Sequence, residues 1–174
     1  MKSNTTFFMD EHWKKKLGKL MSQAVNLEHS AFYFYLAVGV HFDSRKISLL
    51  NLSKFFFKES DDELEHAKIV IKYMNQIGVK VSLAPIEVKD PSHMSISEIF
   101  ETAESFEYKV LQHYELISKE AADANDNATS SFVDFFLDKQ VKEVKSFHDH
   151  KMNSKRTENS LGEFLFDQSF KTKH

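Results

Sequence analysis

Glu63 and His66 stand three residues apart, so on a helix both side chains leave one face a turn apart. Such a pair alone is common; its surroundings give it meaning. Apolar residues recur at three- and four-residue steps through four segments, and a side chain able to hold a metal interrupts each stripe. The first stripe runs Met21, Ala24, Glu28, Ala31, Tyr35, and the second Phe56, Glu59, Glu63, His66, Val70, Tyr73. The third runs Phe100, Ala103, Glu107, Val110, Tyr114, and the fourth Val133, Phe136, Gln140, then Glu143 or Val144, and Phe147. A carboxylate buried without a partner costs many kcal/mol or takes up a proton. No Lys or Arg shares the stripe positions. The counter-charge expected for Glu28, Glu63, Glu107, Glu143 and His66 is therefore a pair of divalent or trivalent cations, with Gln140 beside them. The chain has 174 residues and no cysteine, so only oxygen and imidazole nitrogen are on offer to a metal.

Four helices have to position these groups. Asp10 is a candidate N-cap for the first, and Asp43 or Ser44 opens the second. Ser95 with Glu98 three residues on is a capping box for the third, and the turn Asp123-Ala124-Asn125-Asp126-Asn127 leads to the fourth. The expected spans are about 10–40, 44–77, 95–122 and 129–155, in one domain over 1–174. Both prolines, Pro85 and Pro91, fall in 78–94, where Val79, Val81, Ile86 and Val88 lack helical spacing. Short joins make two antiparallel hairpins, so this middle stretch must cross the full bundle. The predicted fold class is all-α, a four-helix bundle with one long crossover and a short fifth C-terminal helix over 160–170. Ser160 and Glu163 form a capping box for that last helix. Leu161, Phe164, Leu165, Phe166 and Phe170 make it apolar nearly all round, as at an interface.

Composition narrows the function classes. Only 4 Gly and 2 Pro weigh against an all-β fold. A balance of 23 Lys+Arg against 26 Asp+Glu, net −3, lacks the basic field that nucleic acid requires. The apolar run Ser30 to Phe42 is shorter than the ~18 residues a membrane span needs. Met1 to Lys16 carries Asp10, Glu11 and lysines where a signal peptide has an apolar stretch, so a cytoplasmic location is expected. The other histidines, from His12 to His174, form no second group at ligand spacing.

The motifs also resemble a known family. Asn26-Leu27-Glu28 with the aromatic run to Tyr35-Leu36, Glu63-Leu64-Glu65-His66-Ala67, and Asp138-Lys139-Gln140-Val141-Lys142 are similar to the first-, second- and fourth-helix motifs of the ferritins. Leu161-Gly162-Glu163-Phe164-Leu165-Phe166-Asp167 resembles the terminal helix of animal-type ferritins. The resemblance implies a ferritin-like homo-oligomeric shell of 24 subunits, open to co-assembly with other ferritin subunits, its terminal helices gathered on four-fold axes. Its substrates would be iron and dioxygen, and its product a ferric oxide-hydroxide mineral in the cavity. It also implies a ferroxidase centre for two irons on Glu28, Glu63, His66, Glu107 and Gln140, with Glu63 bridging and Tyr35 adjacent. That set is heavy-chain-like, unlike the light-chain type that lacks the ligands.

The chain departs from that pattern in three places. Glu143 stands where vertebrate heavy chains have a small residue and resembles a bacterial-ferritin ligand for the second iron, while Lys139 and Lys142 fall where a third site would want carboxylates. The two carboxylates that usually line the three-fold channel are replaced by Ser130 and Val133, with Asp126, Asp134 and Asp138 nearby. Asp61, Asp62 and Glu65 are candidates for mineral nucleation. The alternative is a di-iron carboxylate oxidase or peroxidase-like bundle not dedicated to storage. Such bundles usually carry two Glu-x-x-His motifs, whereas Glu107 is followed at that spacing by Val110.

Overall fold

A computed structural model describes residues 9–157 and 159–171. The start of the N-terminal stretch and His174 lie outside the described residues. Those described are helical with no strand: α1 (Glu11–Asp43), α2 (Leu50–Gln76), α3 (Ile96–Asp123), α4 (Asn127–Ser154) and α5 (Ser160–Ser169), with a 3-10 turn at Pro91–His93.

Each helix end has a local cause. The Asp10 carboxylate accepts from the Trp13 N–H at 3.3 Å, and the Trp13 indole donates to Asp126 at 3.0 Å, tying the start of α1 to the start of α4. α2 stops where Gly78 takes φ 68°, a left-handed conformation that a side chain would strain. There the Val79 N–H bonds back to the Met74 carbonyl at 2.8 Å and the Gly78 N–H to Asn75 at 3.2 Å. Asn125, φ 54°, ends α3 in the same way. The Ser95–Glu98 capping box forms as its sequence spacing requires.

Two boundaries differ from the sequence expectation. α1 runs on to Asp43, and α2 opens at Leu50, not at Ser44. Between them Ser48 adopts φ 54° and the Leu49 N–H bonds to the Phe42 carbonyl at 3.1 Å, which closes a turn instead of a helix. α5 is capped by Asn159, whose side chain accepts from the Gly162 N–H at 2.8 Å, and not by Ser160.

α1 lies antiparallel on α2 and α3 on α4, and the 78–94 connection joins the two hairpins. Gly39 lets α1 and α2 approach closely, since a Cβ there would meet the Phe57 ring at 2.6 Å. The apolar core is in two parts. Leu17, Met21, Val70, Tyr114, Val133 and Phe136 fill one end of the bundle, and Phe34, Tyr35, Phe56, Phe100 and Phe147 fill the other. The polar stripe residues fall between them.

α5 closes the second end. Phe166 and Phe170 pack edge-on and stacked against Phe100, and Phe55 and His150 touch Phe170. The opposite face, Leu161, Phe164 and Leu165, is more than half exposed. Leu49 at the start of α2 makes no side-chain cap. Asp167, itself buried, takes over that role from α5: it accepts from the Asn51 and Leu52 N–H groups at 2.9 Å each and from the Asn51 amide at 2.7 Å. Asp167→Ala leaves those donors without a partner, and the expected loss is about 1–3 kcal/mol in denaturant unfolding. An unchanged unfolding midpoint would show that this contact does not hold α5.

Candidate metal centre

The layer between the two apolar clusters draws on all four long helices. Glu28 from α1, Glu63 and His66 from α2, Glu107 from α3 and Gln140 from α4 are buried, none more than 6% exposed. Glu143, one turn beyond Gln140, also turns inward, its side chain 16% exposed. Ligand atoms of Glu28, Glu63 and His66 lie within 4.8 Å of one another, and so do those of Glu63, Glu107 and Glu143. Glu63 belongs to both groups. His66 presents Nδ1 to the first group, 3.2 Å from Glu63 Oε2 and 3.9 Å from Glu28 Oε2.

Neighbouring donors fix these carboxyls. The Tyr114 hydroxyl donates to Glu28 Oε1 at 2.7 Å. Tyr35 donates to one oxygen of Glu107 and the Gln140 amide to the other, and the same amide reaches the Glu107 carbonyl at 3.1 Å. Tyr35 and Gln140 thus position Glu107. Glu28 Oε2 and Glu143 Oε2 are buried and meet no N–H or hydroxyl donor among the described residues. Orphaned carboxylate oxygens facing a shared space, with one imidazole, suit a hard or borderline cation such as iron or zinc.

The charge balance agrees. Burial, and next the Glu63 carboxyl, push Glu28 well above the usual carboxylate range, and burial with Glu107 does the same to Glu63. Glu107 is raised to about 8, by burial first and Glu143 second. Burial also lifts the Tyr35 and Tyr114 phenols well above the usual tyrosine range. Burial and mutual repulsion thus favour the protonated forms of these carboxyls.

Three further residues shape the layer. Tyr114 was read as core, although it stands two turns from Glu107 on the stripe that faces Glu28. Glu59 lines the outer side of the layer and is raised to about 7, chiefly by burial, with Asp62 and Glu143 adding to the rise and Lys58 opposing it. Lys139 lies just off the α4 stripe, yet its long side chain carries the ammonium to His66 Nε2 and to Glu143 Oε1, the latter at 3.2 Å.

Other candidates fare differently. Asp62 is paired with Lys58 at 2.6 Å and Glu65 with Lys68 at 3.7 Å, while Asp61 is exposed. Val133 is buried in the core and Ser130 half-buried. Asp126 is taken up by Trp13 and Thr129, whereas Asp134 and Asp138 are exposed. Among the described residues no helix is long and apolar enough to cross a membrane.

Fold and site together define a four-helix bundle around a buried cluster of carboxylates and one imidazole, in two overlapping groups that could hold a metal ion. Residues 18–157 match the family described as ferritin-like domain. The chain is 30% identical over 173 residues to the ferritin light chain, oocyte isoform, of Xenopus laevis, covering 97% of each sequence. This chain belongs to the ferritin family.

The raised carboxyls set the sign of two pH effects. Glu107 keeps its proton in the folded chain up to about 8, whereas an unfolded Glu loses its own near ~4.3. Between those values the folded state binds more protons, so stability of the metal-free protein falls as pH rises through that window. A cation must displace the protons, so affinity for Zn(II) rises about tenfold per pH unit for each proton displaced. Calorimetry in buffers of different ionisation enthalpy measures the proton release directly, and none is expected if the carboxyls are already ionised.

Proposed function

We propose that this chain is a ferroxidase subunit of an iron-storage ferritin. Iron storage is the general function that family membership supports. The finer reading rests on one observation: Glu63 stands in both ligand groups, as a carboxylate bridging two metals must. In this reading Glu28, Glu63 and His66 take the first Fe(II), and Glu63, Glu107 and Glu143 take the second. Tyr114 aims Glu28, while Tyr35 and Gln140 aim Glu107.

Anionic oxygen ligands gain more from Fe(III) than from Fe(II), because attraction scales with the charge of the cation. The centre therefore pulls the metal toward the oxidised state as dioxygen accepts the electrons. Two Fe(II) ions side by side deliver two electrons in one encounter with dioxygen. Protons that leave the raised carboxyls on metal binding pass to the surrounding water. Ferric ions then hydrolyse and move to the mineral. Glu143 serves as an additional ligand of the second iron; Asp61, Asp62 and Glu65 are weaker nucleation candidates, since two of the three are already paired with lysines.

Assembly into a 24-subunit shell accounts for the outward face of α5. Leu161, Phe164 and Leu165, each more than half exposed in a single chain, would be covered by the same helix of neighbouring subunits. Light scattering on the purified protein should give the mass of about 24 chains, and a monomer would contradict the shell.

Aerobic oxidation of Fe(II) tests the centre. Glu63→Gln keeps the shape and removes the bridging charge, so the initial rate should fall by more than the ~10–100-fold typical of outer-shell changes. Glu143→Gln should slow oxidation less, since two carboxylates of its group remain. Equal initial rates for wild type and Glu63→Gln would reject the ferroxidase assignment.

A further inference from the structure

Lys139 brings its ammonium to members of both ligand groups, His66 and Glu143. Its ammonium touches Nε2 of His66, whose Nδ1 faces Glu63 and Glu28, and it pairs at 3.2 Å with Glu143 Oε1. Glu59 and Glu63 on α2 also feel its charge.

The donor and acceptor inventory gives this contact a direction. A lysine ammonium has three N–H donors and no acceptor, so His66 Nε2 must offer its lone pair to Lys139. In a neutral imidazole the N–H then sits on Nδ1, where it donates to Glu63 Oε2 at 3.2 Å. A metal bound between Glu28, Glu63 and His66 needs the lone pair on Nδ1 and leaves the N–H on Nε2. Two N–H donors would then face each other at Lys139. The ammonium and the metal thus require opposite tautomers of one ring. At the same time the lysine neutralises Glu143, a member of the second group.

We infer that Lys139 is a positioning residue that competes with metal at both halves of the centre: it holds His66 in the tautomer that cannot bind and occupies Glu143 until the cation displaces it. This inference rests on the proposed di-metal centre. As metal arrives, the imidazole proton exchanges from Nδ1 to Nε2 through water, with no change of net charge, and the ammonium swings outward. Its side chain is long enough and exposed enough, 38%, to do so without moving α4. The consequence is a centre that loads only when cation binding outweighs the lysine.

Calorimetric titration of the metal-free protein with Zn(II), which has no redox chemistry, tests this without activity. Lys139→Gln supplies an amide oxygen that accepts from Nε2–H, and Lys139→Met removes the charge with similar length. Both should bind Zn(II) about 10–100-fold more tightly than wild type. Lys139→Arg keeps a donor-only cation and should remain near wild type. Loss of packing weakens metal binding, whereas removal of a competing ammonium strengthens it. Unchanged or weaker affinity in both neutral variants overturns the inference, as does equal tightening in Lys139→Arg. Glu63→Gln separates this from the parent reading. If it binds Zn(II) like wild type, the di-metal centre itself fails; if it loses binding while the lysine variants stay at wild-type affinity, only the role of Lys139 fails.

Discussion

Three glutamates from three helices meet in a buried layer, and that electrostatic conflict governs the rest of the structure. Glu28, Glu63 and Glu107 cannot all ionise there together without a cation, because each removes the solvation the others would need. Their helices are held in place by apolar packing at both ends of the bundle, so the carboxyls cannot move apart to relieve the repulsion. Protons or metal ions must enter. Tyr35, Tyr114 and Gln140 each spend a donor on fixing a carboxyl, which keeps the pocket's shape while its charge changes. Burial of such groups is a cost to the fold, and it is tolerated where binding a cation gives it back.

The same conflict orders the periphery. Glu59, Asp62 and Glu143 carry negative charge to the outer side of the layer, and Lys58 and Lys139 answer it. This collar differs from a plain carboxylate funnel, since the lysines neutralise locally what would otherwise draw cations inward. At the bundle's far end, α5 is held by a different means. Asp167 closes the start of α2 while Phe166 and Phe170 fill the aromatic cluster, so the helix is anchored by one face and presents the other.

Much of this was legible in the sequence because helical periodicity is a direct geometric consequence of the chain. The stripe positions of Glu28, Glu63, His66, Glu107 and Gln140 told which side chains turn inward, and they are buried together. Caps were legible where a short side chain bonds its own helix, as at Asp10 and the Ser95–Glu98 box. What stayed hidden depends on reach or on tertiary partners. Lys139 lies off the stripe, and only its four-carbon stem brings the charge to His66. Asp167 caps a helix more than a hundred residues away, which no local pattern encodes. The start of α2 was misplaced because Ser44 has the chemistry of a cap, whereas the backbone at Ser48 turns left-handed before the helix begins. The resemblance implies Gln140 as part of the centre; in the structure its amide donates to Glu107, a partner set by how α3 and α4 pack.

The central claim is that Glu63 bridges two cations in this layer. Crystals of the protein soaked in Zn(II) and measured at the zinc absorption edge test it most directly. The account predicts two anomalous peaks inside each bundle, one against Glu28, Glu63 and His66 Nδ1, the other against Glu63, Glu107 and Glu143. Peaks confined to surface carboxylates, with the layer empty at saturating zinc, would contradict it.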